Sequence, residues 1–362
     1  MPPSTGLLAS NNARPTVLID GQQLAQVSEQ ILALEMTEKE GGLSSLELRL
    51  AETATVNSGA VALVFEDGEE VKLGAEIRVC AGPVDGPTEI FQGTISALEL
   101  EFPDGASPTL LVLAEDRFQR ARMARRTKLH ENVSLSTLVS EVASNVGLTP
   151  SITGLSDNVG THVQLNESDL AFLRRLLARY DGDLQIIGTE LHALARKDAA
   201  RGRIALSTPV DLDRVRVIAD LADQATKVTV AGWDVSQGSA ISVSSTGATL
   251  GPGTGRKGAE ILQDTIGERS EHVSYVAVSN DAEAQAVADA AFDDRARRFV
   301  VAEGTTTEGR PDLRVGTTVA LSGLGDRFSN EYYVTFARHR YDRLYGYKTD
   351  FSAQCAFLGG NA

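Results

Sequence analysis

Histidine and cysteine are the residues that most often hold transition metals, and in this chain they are scattered. The five histidines stand apart from one another: His130, His162, His192, His272 and His339. No His-x-x-x-His or Cys-x-x-Cys spacing occurs, so we expect neither a metal ion nor another cofactor. His192 and His339 fall within strand patterns, which favours hydrogen-bonded barrel residues over ligands. Cys80 and Cys355 are far apart in alternating apolar segments, which predicts two reduced, buried thiols.

Two further segments have residues in common with catalytic motifs. The run Gly251–Gly258 has the glycines of a phosphate-binding loop, but Gly258 follows Lys257 where a Ser or Thr is needed to hold magnesium. Glu167 and Asp169 are a possible pair of catalytic carboxylates. Because they begin a helical pattern, we interpret them as charges that stabilise a helix N-terminus, or that bind an arginine of a neighbouring subunit. We therefore predict that the chain has no catalytic activity.

Charge and composition argue against nucleic acids and membranes as partners. The formal net charge of −15 disfavours stable binding to either polyanion. The densest basic stretch, 117–128, contains Phe118 as its one aromatic residue, so we interpret it as a solvated or interface surface. No run approaches the roughly 20 apolar residues that span a bilayer, and the N-terminus lacks the pattern of a signal peptide. We expect folding in the cytoplasm, without membrane insertion.

Alternating apolar and polar residues dominate the N-terminal third of the chain. Such segments include Ser45–Leu50, Val71–Cys80 and Thr109–Ala114, and Gly, Pro and Asp turns separate them. Short strands at this spacing favour a closed or nearly closed antiparallel β-barrel. We predict a first barrel over 15–115, preceded by a flexible arm at 1–14.

The period changes from strand to helix in the middle of the chain. Apolar residues recur on one stripe within Leu135–Val146, with Ser134 at the N-cap position and Gly147 as a C-terminal stop. A second helix is predicted over Asn166–Tyr180, with Asn166 as its cap, and a hairpin follows. We predict a small α+β module at 116–203.

Strand patterns return towards the C-terminus. We assign 204–236 and 300–357 to a second barrel and 358–362 to a short tail. The insertion at 237–299 is predicted to contain a helix and a Gly- and Ser-rich mobile loop at about 236–258, and to pack partly against the α+β module. The predicted fold is therefore mainly β, with two similar antiparallel barrels flanking and interleaved with a helical α+β module.

The two strand-rich regions share an internal repeat. Val71–Val79 matches Leu313–Leu321 in residue type at nearly every alternate position, and a Gly-bearing turn and two more strands follow each copy. We interpret the pattern as a duplication, although similar alternation also occurs in unrelated barrels. Three such chains would present six similar domains in a ring, so that a threefold object could dock on a sixfold one.

Family resemblance begins at the second predicted helix. Leu165–Leu176, with Asp181 and Gly182 after it, resembles the central motif of the late control gene D proteins of contractile phages. The same motif occurs in the hub portion of VgrG, the spike protein of type VI secretion. Leu313–Gly316 and Phe328–Val334 are similar to the end of that family. The matches cover most of the chain from about residue 114 onwards.

This resemblance implies a structural baseplate hub of a contractile phage tail or tail-like injection system. Such a hub is a homotrimer that adapts the sixfold tail tube to the threefold spike. It would be assembled in the bacterial cytoplasm and become part of a virion tail baseplate or an injection-system particle. Positions that match the motifs are candidate interface residues: Glu167, Ser168, Asp169, Phe172, Arg175, Gly316 and Tyr333.

The resemblance also implies a set of partners. Besides further copies of the chain, we expect a tail tube or tube-initiator protein and baseplate wedge proteins. VgrG-type proteins continue into a further barrel and a β-helical needle beyond the point that corresponds to the end of this sequence. We therefore expect the spike to be a separate protein.

Two other interpretations stay open. A tail-associated peptidoglycan hydrolase or carbohydrate-binding component would need only two carboxylates at the right separation, and the chain has 49 acidic residues. A receptor-binding tail tip would need an aromatic-rich exposed surface, and aromatic residues make up only 5% of this chain.

Overall fold

Alternation of apolar and polar residues, interrupted by Gly and Pro turns, makes the N-terminal region a set of strands. The computed structural model describes residues 14–55, 61–83 and 85–360; most of the expected arm at 1–14 and the end of the tail at 358–362 lie outside them. The elements are β1 (Thr16–Ile19), α1 (Ala25–Gln30), β2 (Ile31–Lys39), β3 (Ser45–Ala51), β4 (Thr53–Thr55), β5 (Val61–Leu63), β6 (Glu76–Ala81), β7 (Thr88–Glu101) and β8 (Thr109–Asp116).

Six of these strands form what we call the first half-barrel. They are antiparallel neighbours in the order β1-β6-β7-β8-β3-β2. Their inward positions, among them Val17, Leu48 and Val112, form one apolar core. Strands β4 and β5 pair only with each other in the part of the chain that is described.

The middle of the chain is an α+β module with its own core. Its elements are a 3-10 turn (Arg117–Gln119), α2 (Arg120–Met123), β9 (Arg125–His130), α3 (Leu135–Val146), β10 (Thr149–Thr153), β11 (His162–Ser168), α4 (Asp169–Arg179), β12 (Gly182–Ile187), β13 (Glu190–Ala195) and a second 3-10 turn (Arg196–Asp198). Apolar stripes of α3 and α4, including Leu138 and Leu173, pack together over the sheet β10-β13-β12.

The predicted helix boundaries in the module are partly correct. Ser134 caps α3 by accepting a hydrogen bond from the Thr137 N–H at 3.2 Å, and Gly147 ends it with a φ of +75°. The second helix is shorter than predicted. Asn166 lies in β11, and Ser168 is the actual cap because its hydroxyl accepts the Ala171 N–H.

The rest of the chain contains the second half-barrel and an insertion. The elements are β14 (Arg203–Ser207), β15 (Leu212–Ala219), β16 (Lys227–Asp234), β17 (Ser239–Ser245), β18 (Arg256–Lys257), α5 (Gly258–Thr265), β19 (Ser270–Val273), α6 (Asp281–Arg297), β20 (Val300–Thr306), β21 (Thr318–Ser322), α7 (Gly325–Phe328), β22 (Asn330–Asp342), β23 (Gly346–Cys355) and β24 (Phe357–Leu358).

The second half-barrel repeats the strand order of the first. Its order is β14-β21-β22-β23-β20-β15. When the six strands of each half are numbered along the chain, both halves have the same spatial order, 1-4-5-6-3-2. The halves differ in their first strand, because β1 runs antiparallel to β6 whereas β14 runs parallel to β21.

Registers and irregularities repeat as well. The bulge between Ile95 and Ala97 in β7 matches the bulge between Val334 and Phe336 in β22. The bulge that ends at Ala33 in β2 likewise matches the one at Arg214 in β15. Ahead of the first pair of bulges, Gly74 and Gly316 donate to the carbonyls of Ile95 and Val334, each at 2.9 Å. Bulges define which residues are equivalent, so they align β2 with β15 and β7 with β22 residue by residue.

The two half-barrels are joined edge to edge. β2 pairs antiparallel with the second part of β22, from Ala33 opposite Asp342 to Lys39 opposite Phe336. We call this the internal joint. The expected mainly β fold with an α+β insert is therefore confirmed, but its two barrels are curled halves of one twelve-stranded sheet.

The insertion has more structure than predicted. Ser239–Ser245, expected in a mobile loop, is strand β17, because Ile241 and Val243 point into a core against α6. β16, which we assigned to the second barrel, pairs with β17 and β19 in a separate sheet. Its Val228 and Val230 are buried against α6 rather than in the half-barrel core.

Candidate interaction surfaces

The motif at the start of α4 is a connected cluster. Glu167 accepts two hydrogen bonds from the Arg175 guanidinium, at 2.9 and 3.2 Å. Asp169 is buried and accepts from Arg126 Nε at 3.1 Å and from Gln164 Nε2 at 2.9 Å. Both carboxylates therefore have partners within their own chain. Asp169 is a charge in the first turn of α4, as predicted, and it also ties the helix to β9 and β11. Glu167 instead lies in β11 and ties that strand to Arg175 of α4.

Phe172 and Arg175 complete this cluster. The Phe172 ring is buried and stacks on His130, with 5.0 Å between ring centroids. The Arg175 guanidinium also lies over the Phe172 ring, 5.3 Å from its centroid. Arg175 is about half exposed, so among the charged and aromatic side chains of this cluster it is the most accessible to another protein.

The other two candidate residues, Gly316 and Tyr333, lie where the module meets the second half-barrel. Tyr333 is buried, and its hydroxyl donates to Asp183 Oδ2 at 3.2 Å. Arg196 covers its ring at 4.3 Å. Burial raises the pKa of Tyr333, and the nearby Asp183 carboxylate raises it further. Gly316 has a φ of +87°, and a Cβ there would lie 2.6 Å from Arg201 Nη1.

The candidate residues therefore fall into two groups, one around the start of α4 and one where the module meets the second half-barrel. Tyr333 and Gly316 share the pair Arg201–Asp183, whose atoms are 2.7 Å apart. They act in the packing of the module on the half-barrel. Their role at an interface with another protein stays a prediction, as does that of the α4 cluster.

The basic stretch 117–128 is largely neutralised within the chain. Arg117 lies 2.8 Å from Glu76, and Arg126 lies 3.1 Å from Asp169. Arg122 and Lys128 pair with acidic side chains in the same way. Four of the six basic side chains in this stretch therefore have an acidic partner in the same chain.

Ion pairs join the insertion to the module. Arg297 in α6 is almost fully buried and binds Asp181, with an Nη1–Oδ2 distance of 2.9 Å. Arg179 in α4 binds Glu283, the residue whose backbone N–H is capped by Asn280.

Sequence reasoning missed the pair that fastens the internal joint. Glu38 lies at the end of β2 and is buried, and its carboxylate accepts two hydrogen bonds from Arg314, at 2.7 and 2.9 Å. The Val315 N–H donates a third at 2.6 Å. A signal was present, because Glu38 is in phase with the inward residues Leu34 and Met36. A charge at an inward position requires a partner.

His339 lies beside this pair. It is fully buried, and its Nδ1 is 2.8 Å from the Tyr347 hydroxyl. Burial and the Arg314 charge lower the pKa of His339 to about 3. The prediction that it is a hydrogen-bonded barrel residue is correct. His192 differs, because it lies in β13 of the module, partly exposed, 2.9 Å from Glu190.

The cysteines are free thiols. Cys355 is buried, and burial raises its pKa to about 12, whereas Cys80 is only partly buried. Within 14–55, 61–83 and 85–360 there is no group of three or more His, Cys, Asp or Glu side chains placed to hold a metal ion. Among the same residues, no helix is long and apolar enough to cross a membrane.

The architecture is similar to that of several solved tail and secretion-system proteins. The chain is similar to the 43 kDa tail protein of prophage MuSo2 from Shewanella oneidensis, at 13% identity and a TM-score of 0.68, covering 94% of this chain and 97% of that one. It is also similar to a tail protein from Neisseria meningitidis, at 11% identity and a TM-score of 0.66, covering 94% of this chain and 96% of that one. A third similar structure is an E. coli type VI secretion component, itself described as similar to the T4 tail proteins gp27 and gp5. Its identity is 12% and its TM-score 0.59, covering 96% of this chain and 79% of that one. These likenesses show a shared fold.

The sequence also matches a family model, described as the Alg8 N-terminal domain, over residues 9–342. The chain belongs to this family. No curated protein sequence matches it.

Proposed function

We propose that the chain is the structural hub of a contractile phage tail or a tail-like injection system. In this proposal it forms a homotrimer that adapts a sixfold tail tube to a threefold spike, and it acts without catalysis. The observation that carries the proposal is the repeat of one strand order in two half-barrels joined edge to edge. The shared fold with tail and type VI secretion proteins supports the same role.

Symmetry explains why a duplicated chain suits this task. Three copies contain six half-barrels, so one end of the ring is nearly sixfold where a tube would dock. The α+β module and the insertion occur once per chain, so surfaces built from them are threefold. The expected partners are thus a tube or tube-initiator protein on one end, a separate spike protein on the other, and baseplate wedge proteins outside.

Light scattering on the purified protein, alone and mixed with a candidate spike protein, tests the proposal. We expect a species of about 115 kDa, three times the 38.5 kDa of one chain, that takes up one spike trimer. A persistent monomer that ignores both spike and tube proteins would refute the hub. Release of soluble fragments from peptidoglycan by the purified protein would refute the non-catalytic part and favour the hydrolase.

A further inference from the structure

Of the open strand edges in the described part of the twelve-stranded sheet, two correspond to the strands of the internal joint. β6 pairs with β7 only from Thr88 to Thr94, so on that side the stretch 97–101 has no partner strand. β15 pairs with β20 along one edge, and its other edge is open. Open edges present unpaired N–H and C=O groups and are templates for another strand.

The repeat shows what belongs at these edges. β22 is the equivalent of β7, and its first part pairs with β21 as β7 pairs with β6. The second part of β22 is covered by β2 at the internal joint. β15 is the equivalent of β2. The open stretch of β7 therefore corresponds to the covered stretch of β22, and the open strand β15 corresponds to the strand that covers it.

We propose that β15 of one copy pairs antiparallel with the second part of β7 of the next copy, reproducing the internal joint between chains. The proposal rests on the homotrimer proposed above and names its interface. Transferring the internal register through the aligned bulges gives four central pairs: Arg216 with Glu101, Val217 with Leu100, Ile218 with Glu99, and Ala219 with Leu98.

The apolar side chains at this edge fit the proposed pairing. Leu100 and Phe102 are 48% and 65% exposed in the single chain. Their equivalents on β22 are His339 and Tyr341, which are 0% and 8% exposed in the internal joint, where β2 lies alongside and the first half-barrel core packs against them. Opposite Leu100 stands Val217, so pairing would bury an apolar row on the side of the half-barrel core.

The charges on the other face also match. The internal joint carries an ion pair between Glu35 and Arg338, 3.8 Å apart. Their equivalents at the proposed joint are Arg216 and Glu99, so the two signs are exchanged between strands but stay opposite. Arg216 and Glu99 are both exposed in the single chain, and Arg216 also stands directly opposite Glu101.

This contact closes a ring. The donor edge β15 and the acceptor edge β7 lie at different places on the chain, so the contact is head to tail. Each copy offers one of each edge. If the joint between chains repeats the joint within a chain, each half-barrel is related to the next by the same rotation. In a closed ring every β15 edge and every open stretch of β7 is then paired.

Engineered disulfides test the register. In the internal joint the Glu40 N–H donates to the Thr335 carbonyl, so Thr37 and Arg338 form a non-hydrogen-bonded pair with closely spaced Cα atoms. Their equivalents are Ile218 and Glu99. We expect Ile218→Cys with Glu99→Cys, in a Cys80→Ser background, to give a covalent three-chain species on oxidation. The matched control is Ile218→Cys with Leu100→Cys, whose side chains would point to opposite faces and should not crosslink.

Charge exchange is a second, independent test on the same complex. Arg216→Glu is expected to weaken trimer association about tenfold, because it places like charges opposite each other, and adding Glu101→Arg should restore it. Both residues also have exposed ion-pair partners in their own chain, Glu303 and Arg49, so Arg49→Glu alone serves as the control for a purely intrachain effect.

The outcomes separate the two proposals. A trimer by mass that crosslinks only at Ile218 and Glu99 supports this pairing. A trimer that fails to crosslink there, or that crosslinks equally at Leu100, overturns the pairing and leaves the hub proposal standing. A chain that stays monomeric with spike and tube proteins present overturns the hub and the pairing together.

Discussion

Arg314→Met is the substitution whose effect on the internal joint can be worked out most fully. Glu38 is 2% exposed, and its carboxylate sits between β2 of the first half-barrel and the turn that precedes β21 of the second. Methionine has a similar length but no charge or donor. The change removes both guanidinium hydrogen bonds and leaves the Val315 N–H and a longer contact to Gln185 at 3.5 Å.

The expected cost follows from leaving a buried carboxylate without its counter-charge. Removing one member of a buried ion pair typically costs about 3–5 kcal/mol of unfolding free energy. Glu38 should fall in this range because it is buried and because Arg314 donates both of its hydrogen bonds from a charged group. We expect about 3 kcal/mol or more at pH 7.5, which is a large share of the stability of an ordinary domain.

The cost should depend on pH with a definite sign. In the wild type, burial raises the pKa of Glu38, but the Arg314 charge and hydrogen bonds outweigh burial, so the pKa lies below its ordinary value of 4.5. The stabilisation is therefore present above that value and is lost only as the pH falls through the lower folded pKa. In Arg314→Met the guanidinium charge and its hydrogen bonds no longer oppose the effect of burial, so the pKa of Glu38 rises. The variant then loses stability as the pH rises from about 4.5 to 7.5.

Urea titrations followed by far-UV circular dichroism at pH 5.5 and 7.5 measure both effects through the midpoint and slope. The gap between variant and wild type should be larger at pH 7.5. Adding Glu38→Gln to Arg314→Met should recover part of the loss, since no buried charge remains. Arg203→Met breaks an exposed pair with Glu331 and should cost at most about 1 kcal/mol. A cost below about 1 kcal/mol for Arg314→Met, or one that does not change with pH, would refute the reasoning.

Two further substitutions test other parts of the second half-barrel. The pKa of His339 is about 3 in the folded chain and about 6.5 in the unfolded chain, so the free energy of unfolding should fall by about 2 kcal/mol between pH 7 and pH 5. The substitution His339→Asn should remove this part of the pH dependence of the urea midpoint. An unchanged dependence would contradict the low pKa. The substitution Gly316→Ala should destabilise the chain by about 1–3 kcal/mol in thermal unfolding. The control Gly74→Ala should cost less, because Gly74 has a similar φ near +85° but a Cβ there would have no atom within 4 Å. Equal costs would show that the contact with Arg201 has no effect.

Sequence patterns predicted the local structure well where a single residue type determines the geometry. Ser134 and Gly147 mark the ends of α3 because a side-chain acceptor and a left-handed backbone are needed there. The repeat was visible for a similar reason. Gly74 and Gly316 occupy a turn with positive φ in both copies, and the alternation after each turn sets which face is buried.

The sequence did not reveal which strands pair over long distances. β16 alternates like a half-barrel strand, yet it belongs to another sheet because its neighbours β17 and β19 lie in the insertion. β17 itself contains just two large apolar residues, Ile241 and Val243, which is too few to distinguish a strand from a loop. The Glu38–Arg314 pair joins residues from opposite ends of the chain, so only the unexpected charge at an inward position of β2 pointed to it.

The proposed joint between chains differs from the internal joint in a way that their physical situations explain. The internal joint always has both strands, since they belong to one chain, and it carries a buried charge pair, Glu38 with Arg314, that would be costly without its partner. The position equivalent to Glu38 on β15 is Ala219, which tolerates water before assembly. The open edges carry charges instead, acidic on β7 at Glu99 and Glu101 and basic on β15 at Arg216. Two β7 edges would repel each other, so the arrangement favours pairing of unlike edges, which is the pairing that we propose for the ring.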